Sequence, residues 1–168
     1  MPRPKSVLNA FTANEVTAIT RLSRPMVDYL AVHGFLTPAY VEGPPRRRGR
    51  VRYYSYRDLV IARIIQRLRE TGVQLRRLKA AVRQLNEHPD WIDKPTDAAA
   101  KIRWLLSDGK EVFIRNQDGF LDDLANGQRA FAFVVNLDQV ESEVLKKVPA
   151  KKRAHCSITN SSLLVSSK

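Results

Sequence analysis

The segment Leu22-Ser-Arg-Pro-Met-Val-Asp-Tyr-Leu30 leaves the chain little choice of local structure. Ser23 is a strong helix N-cap, and Pro25 falls in the first turn, where a missing amide hydrogen costs nothing. Leu22, Val27 and Leu30 give an inner face, while Arg24, Asp28 and Tyr29 are left to face outward. His33-Gly34 ends the helix, with the glycine just past the last periodic position.

The flanks extend the pattern. Phe11 to Thr20 reads as a preceding helix, capped by Thr12 with Glu15 as its capping-box partner and with Val16 and Ile19 facing inward. Arg21-Leu22-Ser23 is the turn between the two helices. Phe35 and Leu36 are core anchors ahead of Thr37-Pro38. From Val41 to Tyr54 the chain reads as an extended hairpin, broken by Gly43-Pro44-Pro45 and turned at Gly49. Its tip gathers Arg46, Arg47, Arg48, Arg50 and Arg52, permanent charges suited to phosphate oxygens or to a minor groove. Ser55 and Asp58 form a second capping box opening a long helix to Thr71, with Leu59, Val60, Ile64, Ile65 and Leu68 at helical spacing. Gly72 closes it. A shorter helix, Gln74 to Leu85, carries Leu75, Leu78, Val82 and Leu85 inward and Arg76, Arg77, Lys79 and Arg83 on its other faces. Two short helices followed by an arginine-tipped hairpin are the plan of a winged helix-turn-helix.

Charge is segregated along the chain. Residues 1–85 hold 17 Lys and Arg against 5 Asp and Glu, residues 86–150 hold 8 against 12, and residues 151–168 hold 4 bases and no acid. A basic block beside a mildly acidic one fits a polyanion-binding module carrying a domain with another task.

The stretch 11–85 resembles the MerR family of transcription regulators. The resemblance is carried by Phe11-Thr-x-x-Glu-Val, Leu22-Ser23, Tyr29 with Gly34-Phe-Leu-x-Pro38, Arg52-x-Tyr54-Ser-x-x-Asp58-Leu and Arg67-Leu-Arg-Glu-Thr-Gly-Val-Gln-Leu75. It implies that the Ser23-capped helix enters the major groove with Arg24 and Tyr29 as contacts, and that Arg52 in the wing meets a phosphate. Thr12, Asp28 and Tyr54 complete the candidate DNA-binding residues. Two positions depart from the family: Asp28 stands where an arginine is usual, and Ala31 where a glutamate is. An acid facing DNA repels phosphate unless it accepts from a cytosine amino group or pairs with a neighbouring arginine.

The second half departs further. Pro89 and Pro95 bracket Asp90-Trp-Ile-Asp-Lys94, so the long dimerisation helix common in the family cannot run through it. Asp97 to Leu106 reads as a short helix. Turn signals at Asp108-Gly109, Asp118-Gly119 and Asn126-Gly127 separate Glu111 to Arg115, Phe120 to Asp122 and Gln128 to Val135, which read as an antiparallel meander. Phe131, Phe133 and Val135 share one strand face, read as core. Asp138 and Glu141 read as caps of a last helix to about Val148, and a Ser-rich tail is expected to be disordered.

The expected fold class is α+β, an N-terminal winged helix-turn-helix followed by a small α+β domain. Its parts are a disordered lead-in at 1–10, the DNA-binding domain at 11–86, a linker at 87–95, a dimerisation or effector domain at 96–148 and the tail at 149–168. No catalytic constellation is visible: His33, His88 and His155 lie in unrelated contexts, and Asp122-Asp123 reads as a solvated turn. The lone Cys156 can neither pair internally nor build a metal site. The chain is therefore expected to be no enzyme, to carry no cofactor or metal, and to act in the cytoplasm at the nucleoid. The longest apolar run, Ala130 to Val135, is strand-sized, so no membrane partner is expected. The expected partner is double-stranded DNA, bound as a homodimer for transcriptional regulation, with a protein partner or small-molecule effector at the C-terminal domain left open. Two rivals remain: an antitoxin-like protein whose C-terminal domain grips a protein, and an excisionase-like architectural DNA binder.

Overall fold

A computed structural model of the chain describes residues 10–42, 50–87, 102–107, 112–116, 118 and 133–153. The lead-in, the wing tip with Arg46, Arg47 and Arg48, the linker beyond Glu87, Phe120 to Asp122, the side chains of Phe131 and Phe133, and the tail from 154 lie outside the described residues. Two compact units divide the chain, Met1–Ala62 with Val144–Lys168, and Arg63–Glu143.

In the first unit, β1 (Phe11–Thr12) runs straight into α1 (Ala13–Thr20), and α2 (Arg24–Val32) follows. The two capping predictions hold. Thr12 Oγ1 accepts from the Glu15 amide at 3.3 Å while the Thr12 amide donates to Glu15 Oε2 at 2.8 Å. Ser23 Oγ accepts from the Met26 amide at 3.4 Å, with Pro25 in the first turn. Between the helices Arg21 takes a left-handed conformation (φ 66°), and Thr20, fully buried, donates to the Val16 carbonyl at 2.7 Å. Gly34 (φ 74°) ends α2 as expected and lets the Phe35 amide donate back to the Leu30 carbonyl at 2.9 Å. Phe35 and Leu36 are buried with Phe11, Val16, Val27 and Leu30.

The hairpin is present as β2 (Tyr40–Glu42) and β3 (Val51–Tyr54), antiparallel with Tyr40 opposite Tyr53 and Val41 opposite Arg52. The sheet has a third strand that the sequence reading placed in a helix. Phe11 and Thr12 pair with Tyr54 and Tyr53, giving the order β1-β3-β2. The wing is thus fastened at its base to the start of the helix-turn-helix. α3 (Tyr56–Glu70) opens on the expected box, Ser55 Oγ accepting from the Asp58 amide at 3.2 Å and Asp58 Oδ2 accepting from the Ser55 amide at 3.0 Å.

The chain returns to this unit at its far end. The last residues of α5 (Leu137–Lys147) bury Val144, and Val148 is buried just beyond. α6 (Ala150–Arg153) follows, which corrects the expectation of disorder from residue 149. The physical reason is non-local. Lys152 Nζ donates to the Ala10 carbonyl at 2.9 Å and to Glu15 Oε1 at 2.7 Å, and lies 5.0 Å from the centre of the Phe11 ring. Lys147 Nζ donates to the Ile19 carbonyl at 3.4 Å, so Lys147 and Lys152 hold α1 near both of its ends.

In the second unit, α3 ends at Gly72 (φ 88°), where the Val73 amide donates to the Leu68 carbonyl at 3.0 Å, and α4 (Leu75–Glu87) follows. Arg63 and Arg67 both bond the Glu143 carboxylate, Arg63 Nη2 at 3.4 Å. The expected helix at 97–106 is a strand over its last residues: β4 (Ile102–Ser107) is central, paired antiparallel with β5 (Val112–Asn116) on one side and β6 (Phe133–Asn136) on the other. Leu105, Leu106 and Ser107 are consecutive and all buried. A strand covered on both faces reads as a continuous apolar run, which periodicity cannot tell from a buried helix segment. The sheet is antiparallel as expected, with the order β5-β4-β6 among the described strands, and the middle segment of the expected meander, Phe120 to Asp122, lies outside the described residues. Val135 is core, as expected. Asn136, rather than Asp138, caps α5, its Oδ1 accepting from the Gln139 amide at 3.2 Å. The class is α+β, and no described helix is long and apolar enough to cross a membrane.

Candidate nucleic-acid interface

Helix α2 buries Val27 and Leu30 and presents Arg24, Asp28, Tyr29, Val32 and His33 on its other faces. Tyr29 is 44 % exposed and stacks on His33, ring centres 4.0 Å apart. This pairing follows from helical geometry, since residues four apart are neighbours on one face. Val32, 69 % exposed, stands beside them as an apolar group with no burial to justify it.

The N-terminal end of α2 is built differently. Asp28 Oδ2 accepts from Arg24 Nε at 3.3 Å, and Asp28 Oδ1 accepts from Arg52 Nη1 at 2.9 Å. One carboxylate thus bridges an arginine of the helix and an arginine of the wing. Of the two ways in which an acid can be tolerated here, the structure shows pairing with neighbouring arginines. Arg24 is held a second time, its Nη1 donating to Asn14 Oδ1 at 2.7 Å on α1. Asn14 carries no sequence signal for this role, because it stands ten residues away.

Beside this cluster an open cleft of about 340 Å³ is lined by Thr12, Ala13, Asn14, Arg24, Arg50, Val51 and Arg52. It joins three arginines with the first residues of α1, at the positive pole of the helix dipole. Such a surface favours an anion bearing several oxygens. Of the candidate residues, Thr12, Arg24, Arg50 and Arg52 meet around the cleft. Asp28 links two of them, and Tyr29 lies one turn along α2. Arg46, Arg47 and Arg48 lie outside the described residues.

Tyr54 does not belong to this surface. It is fully buried opposite Phe11 in the sheet, so it is core and is withdrawn as a contact. Burial pushes its phenol above the ordinary 10.0, against the pull of Arg52, and its hydroxyl has no hydrogen-bond partner among the described residues.

The sequence of residues 11–85 matches the model of the MerR HTH family of regulatory proteins. This stretch is therefore similar to the helix-turn-helix domain of that family. The match covers 75 of the 168 residues and takes in α1, α2, the wing strands, α3 and most of α4. No curated protein matches the chain. The matched span ends before the second sheet begins.

Proposed function

We propose that this chain binds double-stranded DNA sequence-specifically, as a homodimeric transcription regulator that reads bases with α2 and grips phosphates with the wing. The observation that carries the reading is the convergence of Arg24, Arg50 and Arg52 on one cleft at the foot of α2. Arg24, Tyr29 and the apolar Val32 supply donor, ring and methyl contacts for base edges in a major groove. Arg50 and Arg52, with Arg46, Arg47 and Arg48 further along the wing, supply charge for the backbone.

A single module of this size buries too little surface for tight specific binding, and pairing two half-sites is the usual remedy. The dimer contacts are assigned to residues 96–148, whose acidic balance disfavours a phosphate surface. Cutting the chain at residue 85 would also remove Lys147 and Lys152 from α1, so the full chain is the object to weigh.

Fluorescence anisotropy of a labelled duplex tests the reading. The plot of log affinity against log salt should fall with a slope of roughly −4 to −8 per dimer, for about 5–9 neutralised phosphates. Arg50→Ala should weaken all sequences alike, whereas Arg24→Ala and Tyr29→Phe should narrow the gap between selected and random DNA. A slope near zero would remove the electrostatic reading, and wing variants that lost only specificity would reverse the roles.

A further inference from the structure

We propose that Asp28 is a specificity-determining residue that acts as an internal stand-in for phosphate, restraining Arg24 and Arg52 from sequence-independent contacts. The proposal rests on the DNA-binding reading above and adds a role for the acid held between two of its arginines.

A carboxylate and a phosphate present an arginine with the same feature, two anionic oxygens able to accept charge-assisted bonds. Asp28 uses one oxygen for Arg24 and the other for Arg52, so both guanidinium groups already have an anionic partner before any ligand arrives. The cluster is open to solvent, its side chains being 48 %, 40 % and 29 % exposed for Arg24, Asp28 and Arg52. A partner held so near the surface is exchangeable. A backbone phosphate entering the cleft must compete with the carboxylate and accept its repulsion, so an arbitrary sequence gains less from these two arginines than their charge suggests.

The same contacts fix direction. Arg24 is held between Asn14 and Asp28, and Arg52 is tied across from the wing to α2. The arginines therefore reach DNA in one arrangement. A sequence whose base edges and backbone fit that arrangement keeps its contacts, while the others meet the carboxylate without compensation. Specificity is a difference of affinities, and a repulsive group that penalises the wrong partners widens it.

The experiment compares the wild type with Asp28→Asn, an isostere that keeps the shape and removes the charge, on two duplexes. One is the sequence that the wild type itself selects from a random pool, the other a scrambled duplex of equal length. On scrambled DNA, Asp28→Asn should bind roughly three- to tenfold more tightly, as expected for one removed repulsion near a surface at moderate salt. The salt slope should steepen by about one per protomer, because one more phosphate is neutralised. The ratio of selected to scrambled affinity should fall.

Asp28→Ala should act in the same direction. In an Arg52→Ala background the gain on scrambled DNA should shrink, since one of the two released arginines is gone. Thermal unfolding of each variant confirms a folded protein. A folded Asp28→Asn that bound scrambled DNA no better than wild type would overturn the proposal. So would a gain undiminished in the Arg52→Ala background, which a general charge effect would give. A wild type that bound neither duplex would instead refute the DNA-binding reading itself.

Discussion

Asp58→Ala should destabilise the protein more than any other single change to a helix cap. Asp58 is 7 % exposed and serves three donors. Its Oδ2 accepts from the Ser55 amide at 3.0 Å and the Ser55 hydroxyl at 2.7 Å, and its Oδ1 accepts from the Thr37 amide at 3.3 Å. It therefore caps α3 and fastens the segment between α2 and the wing. Losing the cap costs about 1 kcal/mol. Leaving the Ser55 and Thr37 donors without a charged acceptor adds about 1–3 kcal/mol. Part of this is offset, because burial makes the ionised carboxyl expensive and raises its pKa above the ordinary 3.8 despite those bonds.

A net loss of about 2–3 kcal/mol corresponds to a fall in melting temperature of roughly 4–12 °C for a chain of this size. Far-UV circular dichroism during heating, with urea titration to show an unchanged slope, measures it. Asp58→Asn keeps an oxygen for Thr37 but turns an amino group toward the Ser55 donors, so it should lose an intermediate amount. A melting temperature equal to wild type in Asp58→Ala would refute the reasoning.

The two capping carboxylates should respond to pH in opposite senses. Burial raises the Glu15 carboxyl, but Lys152 and the Thr12 amide and hydroxyl outweigh it and hold the group below the ordinary 4.5. Its contribution is thus present above that value and lost as pH falls through the folded pKa, so the stability gap between wild type and Glu15→Gln should close on acidification. Asp58 has a raised pKa, so the folded state takes up its proton first, and the gap to Asp58→Ala should widen as pH falls through the folded value. Urea titrations from neutral pH downward measure both gaps, and parallel behaviour would contradict the assignment. Lys152→Ala should lower stability by about 1–2 kcal/mol by stripping Glu15 and the Ala10 carbonyl of a charged donor, and an unchanged urea midpoint would count against a structural role for α6. Tyr54→Phe removes a buried hydroxyl that has no partner among the described residues, so it should leave stability equal or up to about 1 kcal/mol higher and DNA affinity unchanged; a loss of affinity would return Tyr54 to the interface.

The parts legible in the sequence are those fixed by near neighbours. Thr12 with Glu15, Ser23 with Pro25 and Ser55 with Asp58 each signal within four residues, and Gly34 and Gly72 each end a helix by local conformation alone. The arginines of the wing announce themselves by charge. What stayed hidden depends on residues far apart in the chain. Phe11 and Thr12 look like a helix start until Tyr53 and Tyr54, some forty residues on, supply a strand to pair with. Ile102 to Leu106 looks like the end of a helix because a strand buried on both faces, as at Leu105 to Ser107, loses its alternation. Asp28 looks misplaced among arginines until Arg52 is brought beside it, and Lys152 looks like tail until Glu15 meets it.

Selection of bound duplexes from a random-sequence pool tests most directly whether this MerR-like domain reads DNA as a paired unit. The expected result is an enriched inverted repeat whose half-sites lie about one helical turn apart, centre to centre, or a multiple of that. The enrichment should be lost in Arg24→Ala. Recovery of duplexes with no common sequence would contradict base reading by α2, and a single unpaired half-site would contradict the dimer.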